Sequence, residues 1–356
     1  MNFIYVENQT LLATACNELK QASVIGVDLE CENNLHHYGT KISLIQLSTT
    51  TQHWIVDVIK LKTIDPLLEI FSAPKVQKIF HDVSFDLRIL HHQFGCRPKN
   101  IFDTQLAALF IGKKEIGLGP LLQEYFKIKK EQKFQMADWT KRPLTKEMLL
   151  YAIKDTAYLI ALRNLIKEEL IKKNRLSWVE EEFSLIEKNN WEHKEMSYSD
   201  VKGFRNLLPQ ERAILKRLFL LREKLAKQVD RPPHYIMSTK PLLAISQDPP
   251  KSLTEWNSLK SVHPVVKRSI PLFQEAISKG KTEQIILPEL KAKRYAPEQR
   301  EQLNELMILR EKISKKIGID GYLVLNQDQM QDLVLSKTHR SLHNWQEKLL
   351  QEFKKS

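Results

Sequence analysis

The sequence predicts a mixed-sheet α/β domain followed by all-α helical domains. Over residues 1–190, short apolar runs typical of strands alternate with segments that have the periodicity of amphipathic helices. Beyond them the strand-like runs stop, and helical patterns rich in Lys and Arg continue. A chain of 356 residues has room for two or three domains, and its 42% hydrophobic residues are ordinary for a globular protein.

The first strands and helices follow from the apolar pattern. Residues 3–6 predict a strand, and a helix with one apolar face is expected from about Gln9. Residues 42–48 and 53–57, which are separated by threonines, predict an antiparallel hairpin. Because strands linked by helices accompany this hairpin, the sheet is expected to contain both strand directions. The next predicted elements are a helix around 67–71 and a strand over 76–80.

Two carboxylates near the end of one predicted strand are the first sign of chemistry. The apolar residues 24–27 predict a buried strand, and Asp28 and Glu30 follow at alternate positions. Since strand side chains alternate between faces, both carboxylates point the same way. Like charges held side by side favour a bound cation, and hard oxygen ligands suit Mg²⁺ or Mn²⁺. Polar residues at a solvent-exposed strand end would give the same pattern, so the pair needs support from the rest of the chain.

Further aspartates follow the strand over 76–80. Asp82 is expected to cap the N-terminus of a helix, and Asp86 lies one turn further on, pointing back toward the strand ends. Asp103 is expected to cap the next helix rather than to bind a metal.

A long helix is predicted over residues 145–172. It places Tyr151 and Asp155, four residues apart, on one helical face. A surface position would explain such a pair equally well, so its value again lies in the combination with the earlier acids.

In order along the chain, Asp28-x-Glu30, Asp86 at a helix start and Tyr151-x-x-x-Asp155 form a set with suitable intervals and elements. This set resembles the DEDD superfamily of 3′-to-5′ exonucleases, in the subgroup whose third motif carries tyrosine. A closer resemblance, to the ribonuclease D family, is carried by Phe85-Asp86-Leu87, Phe102-Asp103-Thr104-Gln105-Leu106-Ala107-Ala108 and Asp138-Trp139-x-x-Arg142-Pro143-Leu144.

The resemblance implies an RNase H-like exonuclease domain and hydrolysis of RNA from a free 3′ end, chiefly in transfer RNA precursors, with release of 5′-mononucleotides. Asp28, Glu30, Asp86 and Asp155 would hold two divalent metal ions, Mg²⁺ or Mn²⁺. Tyr151 would orient the attacking water, because an ordinary tyrosine pKa of about 10 makes it a poor proton acceptor at neutral pH.

The second half of the chain is helical and basic, and +10 of the net charge of +12 falls after residue 170. This excess suits contacts with nucleic-acid phosphates. Residues 207–280 resemble the helicase-and-RNase-D C-terminal (HRDC) domain, and we expect a second, degenerate HRDC-like domain over 295–356 after a linker at 281–297. The alternative to a tandem repeat is two basic amphipathic helices that share similar residues without being copies of one domain. Two short strings support the repeat. Residues Arg222 to Lys227 are similar to Arg310 to Lys315, and Ser252-Leu253-x-x-Trp256 recurs as Ser341-Leu342-x-x-Trp345.

Several classes of protein are not expected. The sequence has neither a secretory signal nor 18 consecutive apolar residues, so we expect a cytoplasmic protein without a membrane span. Its three scattered cysteines fit free thiols and offer no zinc site. Gly280-Lys281-Thr282 resembles the end of a phosphate-binding loop, but Glu275 stands where that loop needs glycine and no strand precedes it. No nucleotide cofactor is therefore expected.

Two other functions remain open. A DNA 3′-to-5′ exonuclease is one, because proofreading and helicase-linked members of the superfamily share the same four acids. RNA is favoured because the helical domains follow directly and the chain has no polymerase or helicase motif. A catalytically inactive RNA-binding protein is the other, although all four acids and the tyrosine are present.

Overall fold

The computed structural model describes residues 2–192, 194–288, 295–335 and 341–354. The chain divides into two compact units, Met1–Glu30 with Ile42–Glu192 and Lys293–Ser356, and Cys31–Lys41 with His193–Ala292. The first contains a mixed sheet with helices and the second is largely helical, which confirms the predicted fold class. Within the described residues, no helix is both long enough and apolar enough to cross a membrane.

The first unit is built on a six-stranded sheet with strands β1 (Ile4–Val6), β2 (Val24–Asn33), β3 (Thr40–Ser48), β4 (His53–Asp57), β5 (Gln77–Phe80) and β6 (Ile101–Asp103). Their spatial order is β1-β4-β3-β2-β5-β6. The β3 and β4 strands form the predicted antiparallel pair, whereas β1 with β4, β2 with β5 and β5 with β6 are parallel. The three-residue strand β6 is an addition to the elements predicted from the sequence.

The helices that accompany this sheet are α1 (Gln9–Leu19), α2 (Asp65–Ser72), α3 (Ser84–Phe94), α4 (Thr104–Ile111), α5 (Leu118–Phe126), α6 (Lys146–Ala157), α7 (Leu159–Lys172) and α8 (Leu176–Lys188). The prediction of one long helix over 145–172 is wrong, because Tyr158, with φ of −108° and ψ of −3°, departs from regular α-helix geometry and separates α6 from α7. Thr145 caps α6, and its side chain accepts a hydrogen bond from the Met148 N–H.

The prediction that Asp82 caps a helix is wrong, and the carboxylate of Asp103 instead binds the two residues that precede α3. Asp82 has a left-handed backbone with φ of 62°, and α3 starts after Val83 without a side-chain cap. The buried Asp103 carboxylate accepts hydrogen bonds from the N–H groups of Asp82 (3.0 Å) and Val83 (3.1 Å). It also caps α4, as predicted, through the Gln105 N–H at 2.9 Å. One carboxylate can serve both segments because its two oxygens offer several acceptor positions.

The last described residues of the chain complete the core of the first unit. They form α15 (Pro297–Ile317), α16 (Gly321–Val324), α17 (Gln327–Leu335) and α18 (Asn344–Lys354). Trp345 of α18 stacks on Trp178 of α8 at 4.9 Å between ring centroids and meets Phe110 of α4 edge-on at 5.3 Å. A Cβ on Gly112, where φ is 89°, would lie 2.3 Å from the carbonyl oxygen of Gly318, so glycine permits this backbone contact.

The second unit contains a separate helical core. Its helices are α9 (Pro209–Gln228), α10 (Pro233–Ile236), α11 (Thr239–Gln247), α12 (Leu253–Ser258), α13 (Pro264–Arg268) and α14 (Ile270–Lys281). Trp256 is fully buried and packs against Phe273 of α14. Gly280 is buried inside α14, where a Cβ would lie 2.6 Å from the Ile214 Cα of α9. The close packing of α14 against α9 therefore accounts for this glycine. Residues 289–294 of the predicted linker lie outside the described residues.

Candidate active site

Three of the predicted acids meet at one point of the first unit. Asp28 and Glu30 of β2 and Asp155 of α6 each offer a carboxylate oxygen, and these oxygens lie within 4.8 Å of one another. A cavity of about 360 Å³ opens beside them, and Tyr151 and Lys130 also line it. The carboxylates that the sequence placed on one strand and one helix thus form a single cluster.

The close approach of α6 to the sheet depends on a residue without a side chain. A Cβ on Gly26 of β2 would lie 3.0 Å from the Thr156 carbonyl oxygen and 3.3 Å from the Leu159 Cβ. The Thr156 hydroxyl also shares a 2.7 Å hydrogen bond with the Ser48 hydroxyl of β3. These contacts hold the last turn of α6 on the strands and bring Asp155 beside Asp28.

Asp86 lies at the edge of this cluster. It occupies the first turn of α3, as predicted, and only 7% of its surface is exposed. It lies outside the group of three oxygens described above, but Asp28 is close enough to raise the pKa of Asp86, after the larger effect of burial. The structure therefore brings all four predicted acids into electrostatic contact.

Burial raises the pKa of each of these four carboxyls, to about 8 for Asp28. Mutual repulsion adds to the effect for Asp28, Glu30 and Asp86. Such a group can be fully ionised at neutral pH only if cations offset the repulsion. Carboxylate oxygens are ligands that divalent ions prefer, so the residues present fit a divalent metal site.

Tyr151 is held in place by two aromatic rings. Trp139 stacks on it at 6.2 Å between centroids, and Phe134 meets it edge-on at 5.6 Å. Tyr151 is only 8% exposed, and burial raises its pKa above the usual tyrosine value. The phenol therefore stays protonated near neutral pH, and its ring has little freedom to turn.

The segment that carries these aromatic rings is fixed to the sheet by a buried ion pair. The Arg142 guanidinium contacts both carboxylate oxygens of Asp57 in β4, at 2.6 and 2.7 Å. The Tyr5 hydroxyl donates to the same carboxylate, and Arg142 donates to the Trp139 carbonyl at 2.7 Å. The string around Asp138 and Arg142 thus positions Tyr151, a role that the sequence analysis did not assign.

Lys130 also lies in the site, although no sequence pattern predicts it there. Its Nζ lies 2.8 Å from the Asp155 Oδ1 and 5.1 Å from the centroid of the Tyr151 ring. In the sequence it is one of several lysines in a polar stretch, among them Lys127, Lys129 and Lys133. Nothing in local composition separates it from these neighbours.

Known proteins match most of this chain. A 3′-5′ exonuclease family model matches residues 3–171, and an HRDC domain model matches residues 211–277. Ribonuclease D of Desulfotalea psychrophila is 27% identical over 355 residues, which cover 95% of this chain and 93% of that protein. Exosome complex exonuclease RRP6 of Saccharomyces cerevisiae is 29% identical over 260 residues, 68% of this chain and 35% of that protein.

The same fold occurs in a solved structure. The crystal structure of Escherichia coli RNase D matches with a TM-score of 0.74 at 22% identity, covering 100% of this chain and 99% of the other. The chain spans nearly the full length of the Desulfotalea protein but about a third of the yeast exonuclease. Residues 3–171 therefore form a domain of the 3′-5′ exonuclease family, residues 211–277 match an HRDC domain, and the chain as a whole is similar to ribonuclease D.

Proposed function

We propose that the protein is a 3′-to-5′ exoribonuclease that shortens RNA from a free 3′ end and releases 5′-mononucleotides. The observation that carries this proposal is the convergence of Asp28, Glu30 and Asp155 beside Tyr151. Relatives named ribonuclease D support RNA as the substrate, and HRDC domains bind nucleic acid. Precursors of transfer RNA and other stable RNAs are the proposed cellular substrates, and the cytoplasm is the proposed location.

Asp28, Glu30, Asp86 and Asp155 are the proposed ligands of two divalent metal ions, with Mg²⁺ preferred to Mn²⁺. When bound, such ions lower the pKa of water and offset the negative charge on the phosphate oxygens. The contribution of the protein is a rigid set of carboxylates, because β2, α3 and α6 each fix one part of it.

Tyr151 is the proposed positioning group for the attacking water. Its phenol stays protonated, so it orients the water by hydrogen bonding and does not take the proton. Water attacks the phosphorus of the last phosphodiester, and the bond to the 3′ oxygen of the preceding nucleotide breaks. The terminal nucleotide leaves with its 5′-phosphate. The cavity beside the carboxylates, of about 360 Å³, is in the size range of sites that bind small ligands.

The basic helical segments are the proposed RNA-binding parts. We assign an exonuclease domain to residues 1–190, an HRDC domain to 207–280 and a degenerate HRDC-like domain to 295–356. Lys and Arg side chains of the second half would contact phosphates and make RNA binding depend on salt concentration.

The test is digestion of a 5′-labelled single-stranded RNA with Mg²⁺, with EDTA and with the Asp28→Asn variant. We expect a ladder that shortens from the 3′ end with Mg²⁺ and is absent in the other two reactions. A DNA strand of the same sequence is digested in parallel. Faster hydrolysis of DNA than of RNA would show that DNA is the preferred substrate. RNA binding without any shortening would show that the protein is a catalytically inactive RNA-binding protein.

The assignment of Asp86 has a matched control nearby. Asp86→Asn should abolish hydrolysis, since the site loses one of its four proposed ligands. Asp82→Asn should retain activity, because asparagine tolerates the left-handed backbone and Asp82 accepts no helix-capping hydrogen bond. The reverse ranking in Mg²⁺-dependent digestion would show that Asp82 is the functional acid.

A further inference from the structure

Lys130 brings a positive charge into the acidic cluster. Its ammonium group forms the 2.8 Å ion pair with Asp155 described above, and only 21% of its side chain is exposed. The positive charge of Lys130 also acts on Asp28 and Glu30. The ammonium group therefore serves as a counter-ion for the carboxylates that are proposed to hold metal ions.

A counter-ion in this position competes with metal binding. Lys130 contacts Oδ1 of Asp155, one of the two oxygens that this carboxylate can offer to a divalent ion. Two cations cannot share one carboxylate oxygen at such distances without strong repulsion. A metal ion on Oδ1 would therefore displace the lysine, and a metal ion on Oδ2 would still be repelled by the ammonium on the same carboxylate.

Lys130 lies in a segment without regular secondary structure. Residues 127–145, all of which are described, contain neither helix nor strand. The segment is anchored at its far end, where Arg142 contacts Asp57. Lys130 lies twelve positions before that anchor, on a flexible four-carbon side chain. Its ammonium can turn away from Asp155 and still remain at the cavity that contains Tyr151.

We propose that Lys130 exchanges partners: it neutralises Asp155 in the metal-free enzyme and contacts the phosphate of the 3′-terminal nucleotide once metal ions occupy the carboxylates. This inference rests on the proposed function, because the scissile phosphate must reach the water held by Tyr151. An ammonium group next to that tyrosine lies within reach of the same phosphate. Lys130 would thus set both the metal affinity of the empty site and the affinity for substrate.

The test compares Lys130→Met with Lys133→Met. Lys133 lies in the same segment, is 60% exposed and pairs with Glu147, so its loss should change neither affinity. Calorimetric titration of the RNA-free proteins with Mn²⁺ should show binding 3- to 10-fold tighter in Lys130→Met than in the wild type. Lys130→Arg keeps the charge and should restore an affinity close to that of the wild type.

The second readout is steady-state digestion of 5′-labelled RNA at saturating Mg²⁺. Lys130→Met should raise KM at least 10-fold. Unchanged or weaker Mn²⁺ binding would overturn the proposal, and so would tighter binding with an unchanged KM. The metal titration uses no RNA, so a wild-type protein that binds Mn²⁺ but leaves RNA intact would contradict the proposed function while the counter-ion test still stands.

Discussion

The two helical segments that follow the nuclease share sequence echoes but bury their apolar residues in different places. In α9 of the first segment, eight residues are buried, and six of them belong to the hydrophobic core of the second unit. In α15, which carries the matching Arg310 to Lys315, the single residue buried among those described is Ile313, and it belongs to the nuclease core. Sequence similarity between the two segments therefore does not imply that each one has a core of its own.

The paired tryptophans show the difference most clearly. Trp256 contacts Phe273 inside its own helical segment, whereas Trp345 contacts Trp178 and Phe110 of the nuclease. The first segment contains a core of its own, and the last one completes a core that begins elsewhere in the chain. The tandem-repeat origin of the two segments stays a prediction.

The largest expected effect separates the two tryptophans. Trp345→Ala should cost about 3–5 kcal/mol, because it removes a buried aromatic ring from the nuclease core. Hydrogen exchange followed by mass spectrometry should show faster exchange in α4 and α8. Trp256→Ala is the control, and it should speed exchange in α9 and α14 and leave α4 and α8 protected. Unchanged protection of α4 and α8 in Trp345→Ala would contradict the assignment of Trp345 to the nuclease core.

A smaller difference is expected between two glycines. Gly112→Ala combines a left-handed backbone with a Cβ 2.3 Å from the Gly318 oxygen and should cost about 2–3 kcal/mol. Gly280→Ala also clashes, with the Ile214 Cα, but alanine recovers about 1 kcal/mol of helix propensity. Its net cost should be about 1 kcal/mol. Urea unfolding of both variants measures the order, and a larger loss for Gly280→Ala would contradict it.

The smallest effect concerns pH and the attachment of α18. His343 Nδ1 shares a hydrogen bond with Glu182 of α8, and this bond raises the pKa of His343 above 6.5. Glu181 also favours the charged imidazole. The resulting stability is complete below about pH 6.5 and is lost as the pH rises through the raised pKa.

The His343→Gln variant measures this contribution. Because the side chain of His343 is 30% exposed, we expect about 1 kcal/mol or less. The wild type should melt at a higher temperature than the variant at pH 6, and the two should converge at pH 9. A gap that widens toward high pH would show that the sign is wrong.

Much of the fold could be predicted because local patterns determine it. The apolar start of β2 with its two acids, the hairpin of β3 and β4, and the cap of Asp103 all follow from nearby residues. The break at Tyr158 did not, because neither proline nor glycine marks it. The strand β6 is three residues long, which is too short for a periodic signal.

The site divides in the same way. The resemblance to the DEDD exonucleases implied that Asp28, Glu30 and Asp155 would act together, and the structure places them within one cluster. Their roles as ligands stay predictions, as do those of Asp86 and Tyr151. The positions of Lys130 and Arg142 depend on contacts across the fold, with Arg142 bonded to a residue 85 positions away. No local pattern encodes such pairings.

The shared core of the first unit has a consequence for biosynthesis. Domains fold mostly in the order in which a ribosome makes them. Here the nuclease sequence emerges first, but its core lacks Trp345, Leu349 and Phe353 until α18 has been made. The helical segment α9–α14 has a core of its own, so it can fold while the nuclease core, although synthesised earlier, is still incomplete. Full maturation of the nuclease is therefore postponed until translation has reached α18, so a nascent chain would carry the acidic residues long before it could cut RNA.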